Sequence, residues 1–247
     1  MNHLMERYLG ALEWSQITDA LSQRTRSPLG AVYAQKLLPN KTVAERQKNI
    51  TLIQELGKVL ALVPSFQSFL TDTHDTETFF ERAQKGGVLD AFQTFHVGHF
   101  MATCALMQNE IKKLKAEVPT LFKEYEFLPE KRKLIDDIAR SVNSLGEILD
   151  TASPQLAELR AHKSQKRSQF EKFLVSKVKS WHQEGVLQDD FYDVLDGRYV
   201  VPLKAERQNQ LSGNLHSRSQ TRQSLFMEPV EFMQANNELQ EIDLKIK

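Results

Sequence analysis

Five basic side chains, Arg198, Lys204, Arg207, Arg218 and Arg222, fall between Asp196 and Gln223, where the acids are Asp196 and Glu206. Cations crowded into a short segment can neutralise nucleic-acid phosphates and release their counterions. A second basic run precedes them. From Arg160 to His182 there are seven Lys or Arg and one acid, Glu171, and Lys163, Lys166 and Arg167 form its centre. For the first segment charge alone favours a plainer reading, a solvated hairpin, and the basic run must find a partner or project into solvent. Other constellations point to chemistry less strongly. His96 and His99, three apart, could share a helix face and hold a metal, but no carboxylates stand at ligand spacing, so no metal site is expected. His74-Asp75 reads as a polar loop. His216 with Ser217 and Ser219 has the residue types of a hydrolase, yet a basic loop supplies neither an oriented base nor an oxyanion hole. No catalytic residue is expected. Trp181 and Tyr199 could stack on bases; packing between helix and sheet is the simpler use.

Composition narrows the class. Lys+Arg and Asp+Glu both total 32 in 247 residues, so net charge points to no partner and only its distribution can. Cys104 is the single cysteine, which rules out an intrachain disulfide and fits a reducing, cytoplasmic setting. It lies in an apolar helical run and reads as a small core residue. The start, MNHLMERYLGALEW, has no apolar signal region, and no window is apolar for the ~18 residues of a membrane span.

The elements that must carry these residues are mostly helical. Leu12, Ile17, Ala20 and Leu21 mark one face of a first helix. Ser27-Pro28 caps a second that ends before Pro39. Thr42 and Glu45 have capping-box spacing and open a third, with a stripe of Ile50, Ile53, Leu56 and Leu60 that stops before Pro64. Residues 64–90 read as irregular. A long helix is expected from Leu89 to about Val118, with short ones around Phe122, Ile135 and Leu145. Ser153-Pro154 opens a longer helix that reaches about Gln183. Phe191–Leu195, Asp196-Gly197 and Arg198–Leu203 form a hairpin signal with a type I′ turn, placing Tyr199, Val201 and Leu203 on one face. Leu211–Leu215 and Gln223–Met227 are candidate third and fourth strands. The last helix carries Phe232, Ala235, Leu239, Ile242 and Ile246 at a/d spacing and has a net charge of −3 from Glu228 to Lys247. It should return antiparallel to the basic helix. It runs into Lys247 without a stop signal, so the chain reads as a piece of a longer protein.

The ordered series of SPQLAELR at Ser153, DGRYVVPLKAE at Asp196 and SLFMEPVEFMQANNELQE at Ser224 resembles the second bacterial MutS subfamily. These are relatives of the mismatch-repair ATPases, often called MutS-like endonucleases. The opening LEWSQITDALSQRTRSPLGAVYAQKLLP is similar to the family's N-terminal helices, and the resemblance covers the whole chain. It implies a mainly α protein: a helical core bundle with a long antiparallel helical lever carrying a small antiparallel β clamp. The corresponding parts are a core at 1–150, an outgoing lever helix at 151–190, a clamp at 191–228 and a returning, truncated lever helix at 229–247. One stretch departs from the family pattern. Where the family reads close to VHDQSASGATLFIEP, the acid after His216 and the loop glycine are lost and Arg218 and Arg222 are gained.

The resemblance also implies an ATPase domain elsewhere, with ATP and magnesium, and in many members a nuclease domain. The phosphate-binding run G-x-x-x-x-G-K-[ST] does not occur here, so no cofactor and no ATPase activity are expected of this chain. Two functions remain open. One is a non-catalytic lever and clamp segment that grips branched or recombination-intermediate DNA through Arg198, Lys204, Arg207, Arg218, Arg222 and the arm residues Lys163, Lys166 and Arg167. The other is a helical module for homodimerisation or for docking to an assembly such as the ribosome, without DNA contact.

Overall fold

A computed structural model describes residues 3–71, 73–126, 131–218 and 224–246. The chain is mainly helical with one four-stranded antiparallel sheet, and it divides into two compact units, Met1–Ala152 and Ser153–Lys247.

The first unit is helical: α1 (His3–Ala11), α2 (Trp14–Ser22), α3 (Pro28–Gln35), α4 (Val43–Leu62), α5 (Glu77–Gln84), α6 (Ala91–Lys113), α7 (Pro119–Tyr125) and α8 (Arg132–Ser141). The expected caps at Ser27 and Thr42 form, accepting from the Gly30 and Glu45 amides. The Glu45 carboxylate reaches the Lys41 amide, one residue before the cap, so the box is displaced by one position. A complete capping box sits at Asp90 and Gln93 and opens α6.

Several expectations need correction. The first helix is two, broken at Leu12–Glu13, where Glu13 adopts a φ of 49°. Leu12, Ile17 and Leu21 are exposed. On α4, Ile50 and Ile53 also face outward. Leu56 and Leu60 of the expected stripe do pack on the core, joined by Leu52 and by the buried Glu55 and Val59, and the Glu55 carboxylate accepts from the start of α7. Residues 64–90 contain a 3-10 turn (Pro64–Leu70) and α5. The long helix ends at Lys113, and Pro119 starts α7 afresh. No helix forms at Leu145: Val142 and Ile148 bridge around a turn held by the Asn143 side chain. Cys104 is half-buried, and that burial raises its thiol pKa. The core of this unit is Val59, Phe66, Ile111, Val118 and Leu121.

The second unit follows the sequence closely. Ser153 caps α9 (Pro154–Gln183), accepting from the Leu156 amide. The strands β1 (Asp193–Leu195), β2 (Arg198–Lys204), β3 (Gly213–Arg218) and β4 (Ser224–Pro229) take the order β1-β2-β4-β3, and α10 (Val230–Ile246) closes the chain. The β1–β2 turn has φ values of 49° at Asp196 and 78° at Gly197, the two positive angles a type I′ turn requires. Ion pairs show that α9 and α10 run antiparallel. Lys163 meets Asp243, Lys166 meets Glu238 and Lys177 meets Glu231, so ascending positions on one helix face descending positions on the other. Phe170, Leu174, Val178 and Trp181 of α9 pack with Phe232 and Leu239 of α10 and with Tyr199, Val201, Leu203, Leu225 and Met227 of the sheet.

Candidate nucleic-acid interface

Register places the basic residues at two ends of the sheet. Lys204 pairs with Ser224, and the row Leu203–Leu225–Arg218 crosses β2, β4 and β3. Lys204 and the backbone of Arg218 therefore share one end. Arg207 is exposed in the 3-10 turn (Ala205–Gln210) that leaves Lys204, and neither cation has a carboxylate partner among the described residues. The Arg218 side chain and all of Arg222 lie outside the described residues.

Arg198 stands at the opposite end of β2 and is occupied internally. Its Nε donates to Glu228 Oε2 at 3.2 Å, and both terminal nitrogens donate to Asn237 Oδ1. Glu228 is fully buried. The same Oε2 lies 3.0 Å from His216 Nε2, and Oε1 accepts from Asn236 Nδ2 at 2.8 Å. His216 is aimed there by a β-bulge between Leu215 and Ser217. Asn236 does more than hold Glu228. The β2–β4 ladder begins only at Val201, which leaves Tyr199 without a strand neighbour on that side. The Asn236 side chain replaces one, accepting from the Tyr199 amide at 3.0 Å and donating to its carbonyl at 3.1 Å. The Tyr199 hydroxyl donates to Glu171 on α9 at 3.2 Å. Consecutive residues of β2 thus tie the sheet to both helices. This uses His216 and Arg198 structurally, and Trp181 and Tyr199 are core residues with no face left for stacking.

The arm cations singled out from sequence are also engaged. Lys163 and Lys166 pair across to α10, and Arg167 donates to Glu171 at 2.9 Å along its own helix. The bond from Lys166, then that from Gln234, holds the Glu238 carboxyl below its ordinary pKa. Bonding to Glu171 raises Arg167 above its own. Burial raises the Tyr199 hydroxyl against the lowering pull of Arg167. His96 is buried among Phe92, Phe95 and His74, while His99 stacks on Phe95. Among the described residues no group of three or more His, Cys, Asp or Glu could hold a metal ion. Sequence reading missed the Glu228–Asn236–Asn237 network. Its signal was two consecutive asparagines inside an otherwise good helix, where they lower helix propensity and so want a specific partner.

A long capped helix, a small antiparallel sheet and a returning helix laid along the first make up an arm-and-sheet unit. The chain is 30% identical over 246 residues to the Endonuclease MutS2 of Clostridium beijerinckii, 30% over 243 to that of Symbiobacterium thermophilum and 28% over 247 to that of Geobacillus kaustophilus. These alignments cover 98%, 97% and 99% of the chain, and 30%, 30% and 31% of the relatives. No family model matches. The chain is thus similar to the MutS2 proteins along nearly all of its own length, and it spans about 30% of the length of the curated relatives it matches.

Proposed function

We propose that the chain is a DNA-gripping lever and clamp segment of a MutS-like ATPase, acting on branched or recombination-intermediate duplex through phosphate contacts. It carries no catalysis of its own; ATP, magnesium and any nuclease chemistry belong to parts of the relatives that it does not span, and the working compartment is the cytoplasm. One observation carries the reading. In a chain similar to the MutS2 proteins, Lys204 and Arg207 share a sheet end where neither has a carboxylate partner among the described residues, while Arg198 at the other end is neutralised internally. Contacts of this kind fix position on a duplex without reading sequence.

The test is binding to linear and branched duplex between about 50 and about 200 mM salt. Lys204→Glu with Arg207→Glu should lower the salt slope by about 2, at ~0.9 per phosphate, and weaken all sequences alike. Arg198→Met should leave the slope unchanged. Absence of wild-type binding at low salt would overturn the reading, and an unchanged slope in the double variant would move the contact to Arg218 and Arg222. A docking or dimerisation module, to a second copy or to a ribosome, is favoured by a different observation. Leu12, Ile17, Leu21, Tyr33, Leu37 and Leu38 in the first unit are all exposed apolar side chains. Concentration-dependent dimerisation without DNA binding would select it.

A further inference from the structure

The inner cations of α9 are neutralised by α10, so its charge toward solvent must come from elsewhere. Successive helical residues rotate by about 100°. On that rotation Gln165, Ser168, Lys172, Ser176, Lys179 and Gln183 fall on one face, opposite the buried Phe170, Leu174 and Trp181. All six are exposed. Neither lysine has a carboxylate partner among the described residues. From Ala161 to Gln183 the one acid is Glu171, and it is turned away to Arg167 and Tyr199. Glu158, one turn before Ala161, is the first acid on this face toward the N-terminus.

A solvated helix face ordinarily mixes both signs of charge. This one offers lysine ammonium groups, serine hydroxyls and glutamine amides with no acid among them, which is the donor set that contacts phosphate oxygens. The geometry points to the outer face of α9 as a second phosphate-contact track for duplex DNA, separate from the sheet end. The track runs about 27 Å from Gln165 to Gln183, with the two lysines about 10.5 Å apart, at ~1.5 Å per residue. It rests on the DNA-binding reading above and extends the contact along the arm. It replaces Lys163, Lys166 and Arg167 as the arm's contribution, since those three already have carboxylate partners.

The experiment is Lys172→Glu with Lys179→Glu in the full chain, with helicity checked by circular dichroism and Lys172→Gln with Lys179→Gln as the milder pair. Lys123→Glu with Lys133→Glu, on exposed positions of the first unit, changes net charge equally and serves as control. The expected result is a salt slope lower by about 2 and binding roughly tenfold weaker at low salt, with the control unchanged. Wild-type binding with an unaltered slope in the Lys172/Lys179 variant overturns this inference and leaves the DNA-binding reading intact. An equal effect of the control also overturns it, by reducing it to net charge. Loss of affinity for duplex RNA but not for duplex DNA overturns it in favour of another occupant. No wild-type binding to any duplex overturns both readings.

Discussion

Replacing Glu228 by Ala should unfold the second unit far more readily than its count of contacts suggests. The carboxylate is fully buried and accepts from Asn236 at 2.8 Å, from His216 at 3.0 Å and from Arg198 at 3.2 Å. Removing it leaves Arg198, with 19% side-chain exposure, holding only Asn237 and a long contact to Gln240. Hydrogen bonds to a charged group contribute ~1.5–3 kcal/mol each, but three sharing one carboxylate do not add. Breaking a buried pair by deleting one partner costs about 3–5 kcal/mol, which is the loss expected of Glu228→Ala. Glu228→Gln keeps the shape but turns an amide N–H toward a cation, and should lose about 2 kcal/mol. Trp181 is buried in this unit and Trp14 lies in the other, so urea unfolding followed by fluorescence in a Trp14→Phe background reads the second unit alone. With a denaturant slope of ~1.5 kcal/mol per molar, the midpoint should fall by about 2 to 3 M. A loss below about 1 kcal/mol would refute the claim that the cluster fastens the sheet to α10.

Two further outcomes are expected. Glu55 accepts from the Leu121 amide at 2.6 Å and the Thr120 amide at 3.2 Å, capping α7 from a distant helix. Burial raises its pKa, but those amides and Lys58 outweigh it and hold the carboxyl below the usual carboxylate range. A depressed folded-state pKa gives stability that is present above the unfolded value and lost as pH falls through the folded one. Thermal melts at neutral pH should therefore place Glu55→Gln about 2 kcal/mol below wild type, with the gap closing under acid conditions; a gap that persists would contradict the cap. At Gly213, a Cβ would lie 2.1 Å from the Glu228 carbonyl oxygen and 2.9 Å from the Pro229 Cα, so backbone would have to move. Gly213→Ala should destabilise the second unit by at least about 2 kcal/mol, read by Trp181 fluorescence, and leave the first unit's melting unchanged.

The second unit was legible because its signals are local and agree with one another. Ser153-Pro154 specifies a helix start, Asp196-Gly197 specifies a turn, and the apolar spacing of Phe232, Leu239 and Ile242 specifies the face that is buried. The first unit was less legible where a polar residue took a core position. Sequence periodicity favoured Ile50 and Ile53, but α4 turned its Glu55 stripe inward because a carboxylate can satisfy the orphan amides that open α7. The contact between them spans sixty-six residues, and no window of local pattern contains it. Asn236 escaped for the same reason, because the Tyr199 backbone it bonds lies thirty-seven residues away. His216 meets Glu228 on the neighbouring strand only because a bulge re-aims its side chain, and a bulge leaves no composition signal.

The candidate interface shows why basic residues in a sequence overstate a nucleic-acid surface. Positive charge on the arm and sheet divides by function once acids are placed. Lys163, Lys166 and Lys177 select the antiparallel partner of α9, where charge sets register while Phe170, Phe232 and Leu239 supply the burial. Arg198 neutralises a buried carboxylate, and Arg167 orients Glu171 toward Tyr199. Among the described residues, Lys204 and Arg207 at one sheet end and Lys172 and Lys179 on the outer face of α9 have no such partner and stand available to an external polyanion. Neutral substitutions should sort these groups by different observables. Residues of the first set should change unfolding midpoints with little effect on salt slope, because their charge is already balanced inside the protein. Residues of the second should change the slope with little effect on stability, because exposed cations without partners contribute little to folding. Fluorescence melts and salt titrations on the same variants separate the two sets.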